Sequence, residues 1–215
     1  MEKKPLVIIG AGGLGREVAW LVEDINRKEK VWEFIGFIDD FKEGFTPEGY
    51  PIIGKTEDLY DMREKLHLAL AVADASIRKR LACELKGAGF EFATLIHPSA
   101  MMSRHVRIGE GSIICAGSII TTNVVLGSFC IVNPGCFIGH DTVLSDFVSL
   151  MPGVNVAGDV RIGEGAYLGL SACVINMRSI GDGSIIGGGA AVVHDIPSRV
   201  VAVGVPARVI KNLNL

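Results

Sequence analysis

Two titratable neighbours, His140 and Asp141, stand in the stretch IGHDTV (residues 138–143) among aliphatic, small and hydroxyl residues. An imidazole beside a carboxylate can serve as a general base. The carboxylate orients the ring and stabilises the imidazolium formed when it takes a proton. The competing reading is a solvated polar corner without chemistry. A second candidate is GAGGLG (residues 10–15), which follows an apolar run and opens an amphipathic one. Glycines there let a ligand approach the backbone, and a helix N-terminus favours phosphate. Asp39 and Asp40 close the next apolar run, where an acidic side chain meets a ribose in dinucleotide-binding folds. Tight packing of helix on strand would use the same glycines.

The elements that must position these residues follow two grammars. Residues 5–96 alternate strand and helix signals. PLVIIG (5–10), FIGFID (34–39), HLALAVA (67–73) and FEFATLI (90–96) read as strands, and residues 39–51 as a Gly- and Pro-rich loop. Residues 13–28 carry Leu14, Val18, Leu21, Val22 and Ile25 at helical spacing, and residues 75–89 form a second helix with a Gly stop. Such alternation predicts a parallel α/β sheet.

From Met102 the period becomes six. Stepping by six from Met102 to Val192 gives sixteen positions, of which all but the first are Ile, Leu or Val. Four residues after each stands a small or β-branched residue, with Arg178 and Ile196 as the large exceptions. Gly often follows the aliphatic residue, as at Gly109, Gly127 and Gly139. An α-helix has a period of 3.6 and is destabilised by so much Gly. Short strands with corners fit: the aliphatic and small residues point inward and Gly eases the corner. This is the hexapeptide signature of a left-handed parallel β-helix of about five coils of 18 residues, stabilised by stacking. His140 and Asp141 then sit at a corner, outside the core. The expected fold is thus an α/β Rossmann-like domain (1–97) followed by a left-handed parallel β-helix (98–200) and a C-terminal tail (201–215), in which Pro206 opens a short helix.

Composition removes several classes. Charged residues are 21% and hydrophobic ones 49%, which predicts a packed core rather than disorder. A net charge of −3 without a basic block gives no footprint for nucleic acid. The apolar run Leu6–Ile9 is too short for a signal segment or a membrane span. Five cysteines without a CxxC pair read as reduced thiols in a cytoplasmic protein. Zinc needs three well-placed ligands. Within two coils of His140, the repeat offers only His105, so no metal is expected.

The motifs IIGAGGLGREV (8–18), GFIDD (36–40), LIHPSA (95–100), IGHD (138–141) and VGVPAR (203–208) occur in this order. Together they resemble the sugar O-acyltransferase family of hexapeptide acyltransferases, which includes sialic acid O-acetyltransferases and N-acetyltransferases of nucleotide-linked 4-amino-sugars. The resemblance implies a homotrimer with acetyl-CoA bound between subunits. It makes His140 the base, Asp141 its carboxylate partner and Gly158, one coil on, the oxyanion donor. It places cofactor contacts at Gly158, Leu170, Gly188 and Ser149, the last where relatives often carry a second His. The nucleotide-sugar acceptor falls to Gly12, Gly13, Leu14, Asp39, Asp40 and Ala73. Leu14 stands where relatives frequently have His, and Ala73 where they have Gly. No cysteine falls in a family nucleophile motif, which favours direct transfer over an acyl-enzyme. His97 and His194 read as structural. The expected activity is acetyl transfer to the 4-amino group of a nucleotide-linked sugar in surface-glycan biosynthesis. O-acetylation of a sialic acid, or a non-catalytic nucleotide-sugar or NAD-binding module, are the alternatives.

Overall fold

The computed structural model describes residues 3–62 and 65–213. The outermost positions of the expected first domain and of the tail, Met1–Glu2 and Asn214–Leu215, lie outside the described residues. The chain forms two compact units, one ending at Pro98 and one beginning at Ser99.

The first unit is built on a six-stranded sheet. Its elements are β1 (Lys4–Ile9), α1 (Gly13–Lys28), β2 (Trp32–Ile38), β3 (Gly44–Phe45), β4 (Pro51–Gly54), β5 (His67–Leu70), α2 (Ala75–Gly87) and β6 (Glu91–Phe92). The strand order is β3-β4-β2-β1-β5-β6, all parallel except the β3–β4 pair. Leu6, Val7 and Ile8 of β1 are fully buried, which explains their unbroken apolar run: a central parallel strand is covered on both faces. α1 buries Val18, Leu21 and Val22 of the predicted stripe, together with Ala19, while Leu14 and Ile25 are half-buried. Two expectations change. Residues 39–51 are not wholly loop, because Gly44–Phe45 pairs with Pro51–Gly54 as an antiparallel ribbon. The single strand expected over 90–96 is two short ones, Glu91–Phe92 and Leu95–Ile96.

The second unit is the left-handed β-helix. Two-residue strands recur every six residues from Met101–Met102 to Ala191–Val192. They pair in parallel with the strand 18 residues away, as in Phe137↔Asn155 and Ile138↔Val156. Ile120, Leu126, Val132, Ile138, Leu144 and Leu150 are buried, as are the small-slot residues Ser112, Ser118, Cys130 and Thr142. Each buried aliphatic side chain contributes roughly 1.5–3 kcal/mol.

The corners work differently from the sequence expectation. Every sixth residue from Gly111 to Gly189 has a left-handed φ, and half of these are not Gly: Asn123, Phe129, Asp141, Phe147, Asp159, Ser171 and Met177. The glycines directly after the aliphatic residue do not have positive φ; they are close-approach positions. A Cβ on Gly139 would lie 2.5 Å from the Ala157 carbonyl carbon of the next coil.

The last coil is shorter. Val174 pairs with Val192, 18 residues on, but Ile180 pairs with Ile196, only 16 on. Ile196 is therefore an aliphatic-slot residue in shifted phase, not a large residue in a small slot. Arg178 does occupy the small slot, at partial exposure, and its buried Nε has no hydrogen-bond partner among the described residues. Residues 200–203 continue the helical sheet against Ile185–Ile186 and then turn back as Arg208–Asn212, antiparallel to Val200–Val203. The short helix expected at Pro206 is absent, because the segment after it satisfies its backbone by strand pairing instead.

Candidate active site

His140 and Asp141 occupy one corner of the β-helix, between Phe137–Ile138 and Val143–Leu144. Their side chains are 63% and 54% exposed. Asp141 has φ +58, a conformation that Asp tolerates better than most residues. Its Oδ2 lies 2.8 Å from His140 Nδ1. The carboxylate accepts from the Nδ1–H tautomer, which leaves the lone pair on Nε2. Asp141 Oδ1 accepts from Asn123 Nδ2 at 3.2 Å. The hydrogen bond from the imidazole, and then that from Asn123, hold the Asp141 carboxyl below its ordinary value. The corner is fixed by backbone bonds on both sides: Asp141 N–H donates to Thr122, and Asp159 N–H donates to the His140 carbonyl.

Gly158 lies one coil on, against the imidazole. A Cβ there would fall 2.5 Å from both Cε1 and Nε2 of His140. The missing side chain is what admits the ring. Gly158 N–H makes no hydrogen bond among the described residues, whereas its carbonyl accepts from Met177 N–H. Gly158 thus brings a backbone N–H without an internal partner to the coil beside the imidazole, and a free N–H is the kind of donor that stabilises an oxyanion.

The other cofactor candidates lie elsewhere on the coil. Leu170, 58% exposed, and Gly188 stack one coil apart on the edge that precedes the sheet face of Met101, Ile119 and Phe137; His140 and Gly158 are on the edge that follows it. Ser149 is half a coil from His140 and 1% exposed, so a single chain does not bring it to the dyad. His194 is exposed at the shortened corner. Among the described residues, no group of three His, Cys, Asp or Glu is placed to hold a metal.

In the α/β unit, the acceptor candidates share the C-terminal edge of the parallel sheet. Gly12, Gly13 and Leu14 lie where β1 gives way to α1, Asp39 and Asp40 follow β2, and Ala73 follows β5. From β1 the chain goes to β2 on one side, and β5 lies on the other, so the crevice beside β1 is a switch point where ligands of such sheets bind. A Cβ on Gly12 or Gly13 would meet nothing within 4 Å, so both face open space; Gly15 has no such freedom, since its Cβ would strike the Gly10 carbonyl. Asp39 is already engaged: its Oδ2 accepts from Ala11 N–H at 2.8 Å and its Oδ1 from Phe41 and Lys42 N–H. Lys42 Nζ donates to the Ala11 carbonyl at 3.1 Å. Asp40 accepts from Thr56 N–H and opens on a cleft of about 390 Å³ shared with Lys55, Tyr60 and Arg80. His97 pairs with Asp24 of α1 at 3.0 Å.

Sequence reasoning missed two residues. Asn123 could have been found by stepping back one 18-residue coil from Asp141. Arg78 could not: it looks like its exposed neighbours Lys79 and Arg80, yet it is 1% exposed. Its Nη1 donates to the carbonyls of Val72 and Ala73 at 2.6 and 3.0 Å, fixing the loop that carries Ala73.

An α/β unit followed by a hexapeptide β-helix, with a His–Asp pair at a corner, defines the hexapeptide acyltransferase class. Known proteins narrow it. Residues 5–85 match the PglD N-terminal domain family. The acetyltransferase domain of PglB from Neisseria gonorrhoeae, solved with acetyl coenzyme A, superposes with a TM-score of 0.91 at 33% identity over 97% of this chain and 100% of that one. PerB from Caulobacter crescentus, solved with CoA and GDP-perosamine, gives 0.86 at 34% identity over 96% and 97%. UDP-N-acetylbacillosamine N-acetyltransferase of Bacillus subtilis is 37% identical over 116 residues, 53% of this chain and 52% of that protein. The matched region spans about half the length of the curated relatives. The chain belongs to the PglD-type family of hexapeptide sugar acetyltransferases.

Proposed function

We propose that this protein transfers the acetyl group of acetyl-CoA to the 4-amino group of a nucleotide-linked sugar, in the making of a surface glycan. The observation that carries the chemistry is the His140–Asp141 pair at 2.8 Å with Nε2 left over the side-chain-free Gly158. The amine attacks the thioester carbonyl while His140 Nε2 takes its proton. The oxyanion of the tetrahedral intermediate faces Gly158 N–H. Collapse breaks the C–S bond, and the thiolate leaves as CoA with the proton returned by His140. Asp141 keeps the Nδ1–H tautomer in place and balances the imidazolium.

The acceptor binds in the α/β unit along Gly12, Gly13, Leu14, Asp39, Asp40 and Ala73. In this role Asp39 holds the Gly-rich turn through Ala11, and Asp40 has the open cleft. Relatives solved with CoA, acetyl coenzyme A and GDP-perosamine support both substrate classes.

The working form is a homotrimer. Support comes from the two edges of the β-helix: one chain carries His140 and Gly158 on one and Leu170 and Gly188 on the other, so a neighbouring copy must complete the acetyl-CoA groove. Met101, Ile119 and Phe137, 65%, 40% and 38% exposed on the face between those edges, are suited to such a contact. Ser149, buried in the single chain, is the cofactor candidate that contributes least. We read the location as cytoplasmic from the five cysteines, which are unpaired in the structure, the state kept by a reducing compartment.

The test is free-thiol release from acetyl-CoA against UDP-, GDP- and dTDP-linked 4-amino-sugars and free sialic acid. Turnover with an amino-sugar nucleotide supports the reading, and turnover with sialic acid alone replaces it with O-acetylation. Binding of a nucleotide sugar or NAD without thiol release would make the chain a binding module. Sedimentation as a strict monomer would overturn the shared site.

A further inference from the structure

Asp141 is itself held, and the residue that holds it comes from the preceding coil. Asn123 lies 18 residues before Asp141, so the two corners stack about 4.8 Å apart along the β-helix. Both have left-handed φ, +57 and +58. Their side chains meet at 3.2 Å, Asn123 Nδ2 donating to Asp141 Oδ1, while Asp141 Oδ2 faces the imidazole. Each carboxylate oxygen thus has its own donor. An exposed carboxylate with one partner can turn about its χ2 bond and give that partner up to water. With the second oxygen tied, the turn breaks two bonds instead of one.

We infer that Asn123 is a positioning residue for the acetyl transfer, fixing the Asp141 carboxylate so that the Nδ1–H tautomer of His140 persists and Nε2 stays over Gly158. The inference rests on the function proposed above. An amide suits the place better than the alternatives. A carboxylate at 123 would repel Asp141, which already has Asp159 at the corresponding corner one coil on, with Arg161 Nη2 3.8 Å from Asp159 Oδ1. A Lys would compete with His140 for the carboxylate. Asn also accepts left-handed φ at low cost, which is the structural reason an Asn could stand here with no part in the reaction.

The deciding variant is Asn123→Gly, because Gly keeps φ +57 without strain and removes only the amide. The first readout needs no turnover: the Asp141 carboxyl carbon is followed by NMR through a pH titration. Loss of the Asn123 hydrogen bond should move its midpoint upward, toward the ordinary carboxylate range. The second is steady-state kinetics, where kcat should fall about 10-fold with both KM values unchanged, since only the geometry of the base is loosened. Asn123→Asp should lower kcat further. Thermal unfolding checks that the β-helix is intact. An unmoved Asp141 titration overturns the hold itself. A moved titration with unchanged kcat, in a protein that His140→Ala inactivates, overturns its catalytic relevance and leaves Asn123 a corner residue. If the wild type transfers no acetyl group at all, the proposed reaction fails and the kinetic part of this inference with it. The titration then still decides whether Asn123 holds Asp141.

Discussion

The two units place side chains by opposite means. In the β-helix, a residue's neighbours are set by arithmetic: whatever stands 18 positions away stacks beside it, so Asn123, Asp141 and Asp159 form one column and His140 and Gly158 another. In the α/β unit no such rule exists. Its loops are tied by individual polar bonds, long-range ones such as Asp39 to Ala11 across 28 residues and local ones such as Arg78 back to Val72 and Ala73. A periodic scaffold holds its corners through the backbone, so a side-chain change at one corner can disturb the chemistry there without undoing the coil. An aperiodic one holds its binding loops through a few polar side chains, and each is a point of failure.

Four experiments would break or sharpen that contrast. The largest effect is expected from His140→Ala: kcat/KM should drop by roughly 10²–10⁴-fold with no loss of thermal stability, because the side chain is 63% exposed and packs no core. A comparable loss of melting temperature would mean the corner is structural after all. Gly158→Ala comes next. Its methyl would lie 2.5 Å from the imidazole and must displace it, so kcat should fall on the order of 100-fold while the coil register persists. A crystal structure of the variant with the ring unmoved would refute the packing argument.

In the α/β unit the signature should be reversed. Arg78→Met removes a buried cation and both of its bonds to the β5–α2 loop. A stability loss of about 2–4 kcal/mol is expected, confined to this unit, with the β-helix transition unchanged by calorimetry. Acceptor KM should rise as the Ala73 loop loosens, and a single shifted transition would show the units to be thermally coupled. The smallest effect concerns pH. The Asp141 carboxyl lies below its ordinary value in the folded protein. Its contribution is therefore present above the unfolded Asp value and lost as pH falls through the lowered folded value. Melting of Asp141→Asn and of wild type should differ slightly at neutral pH and converge in strong acid. A gap that widens with acid would reverse the sign.

What the sequence made legible follows the same divide. The hexad register, the inward slots and the corner position of His140 could be read directly, because one period governs burial, pairing and φ together. The short last coil could not, since two missing residues look the same as an Ile in a small slot until Ile180 and Ile196 are seen to pair. The role of the glycines was half legible: their spacing is plain, but whether a Gly serves φ or close approach depends on backbone distances. In the α/β unit, β1, α1 and α2 stood out by periodicity. The β3–β4 ribbon was hidden in turn-forming residues, and the burial of Arg78 has no sequence mark, because its worth lies in two loop carbonyls that only the fold brings to it.

The hairpin that closes the β-helix has a consequence for how copies of this chain meet. A solenoid of parallel strands ends in a row of unpaired amides and carbonyls, an invitation to stack end on end into filaments. On one of the three faces that row is met by Val200–Val203, and outside it by Arg208–Asn212, antiparallel, exposed along its whole length and carrying Arg208 and Lys211 beside the exposed Val209 and Ile210. Reversing direction breaks the repeat's pattern of offered bonds, and two cations make a second copy an unwelcome neighbour. On that face the five-residue strand ends the parallel pattern that end-on stacking would need.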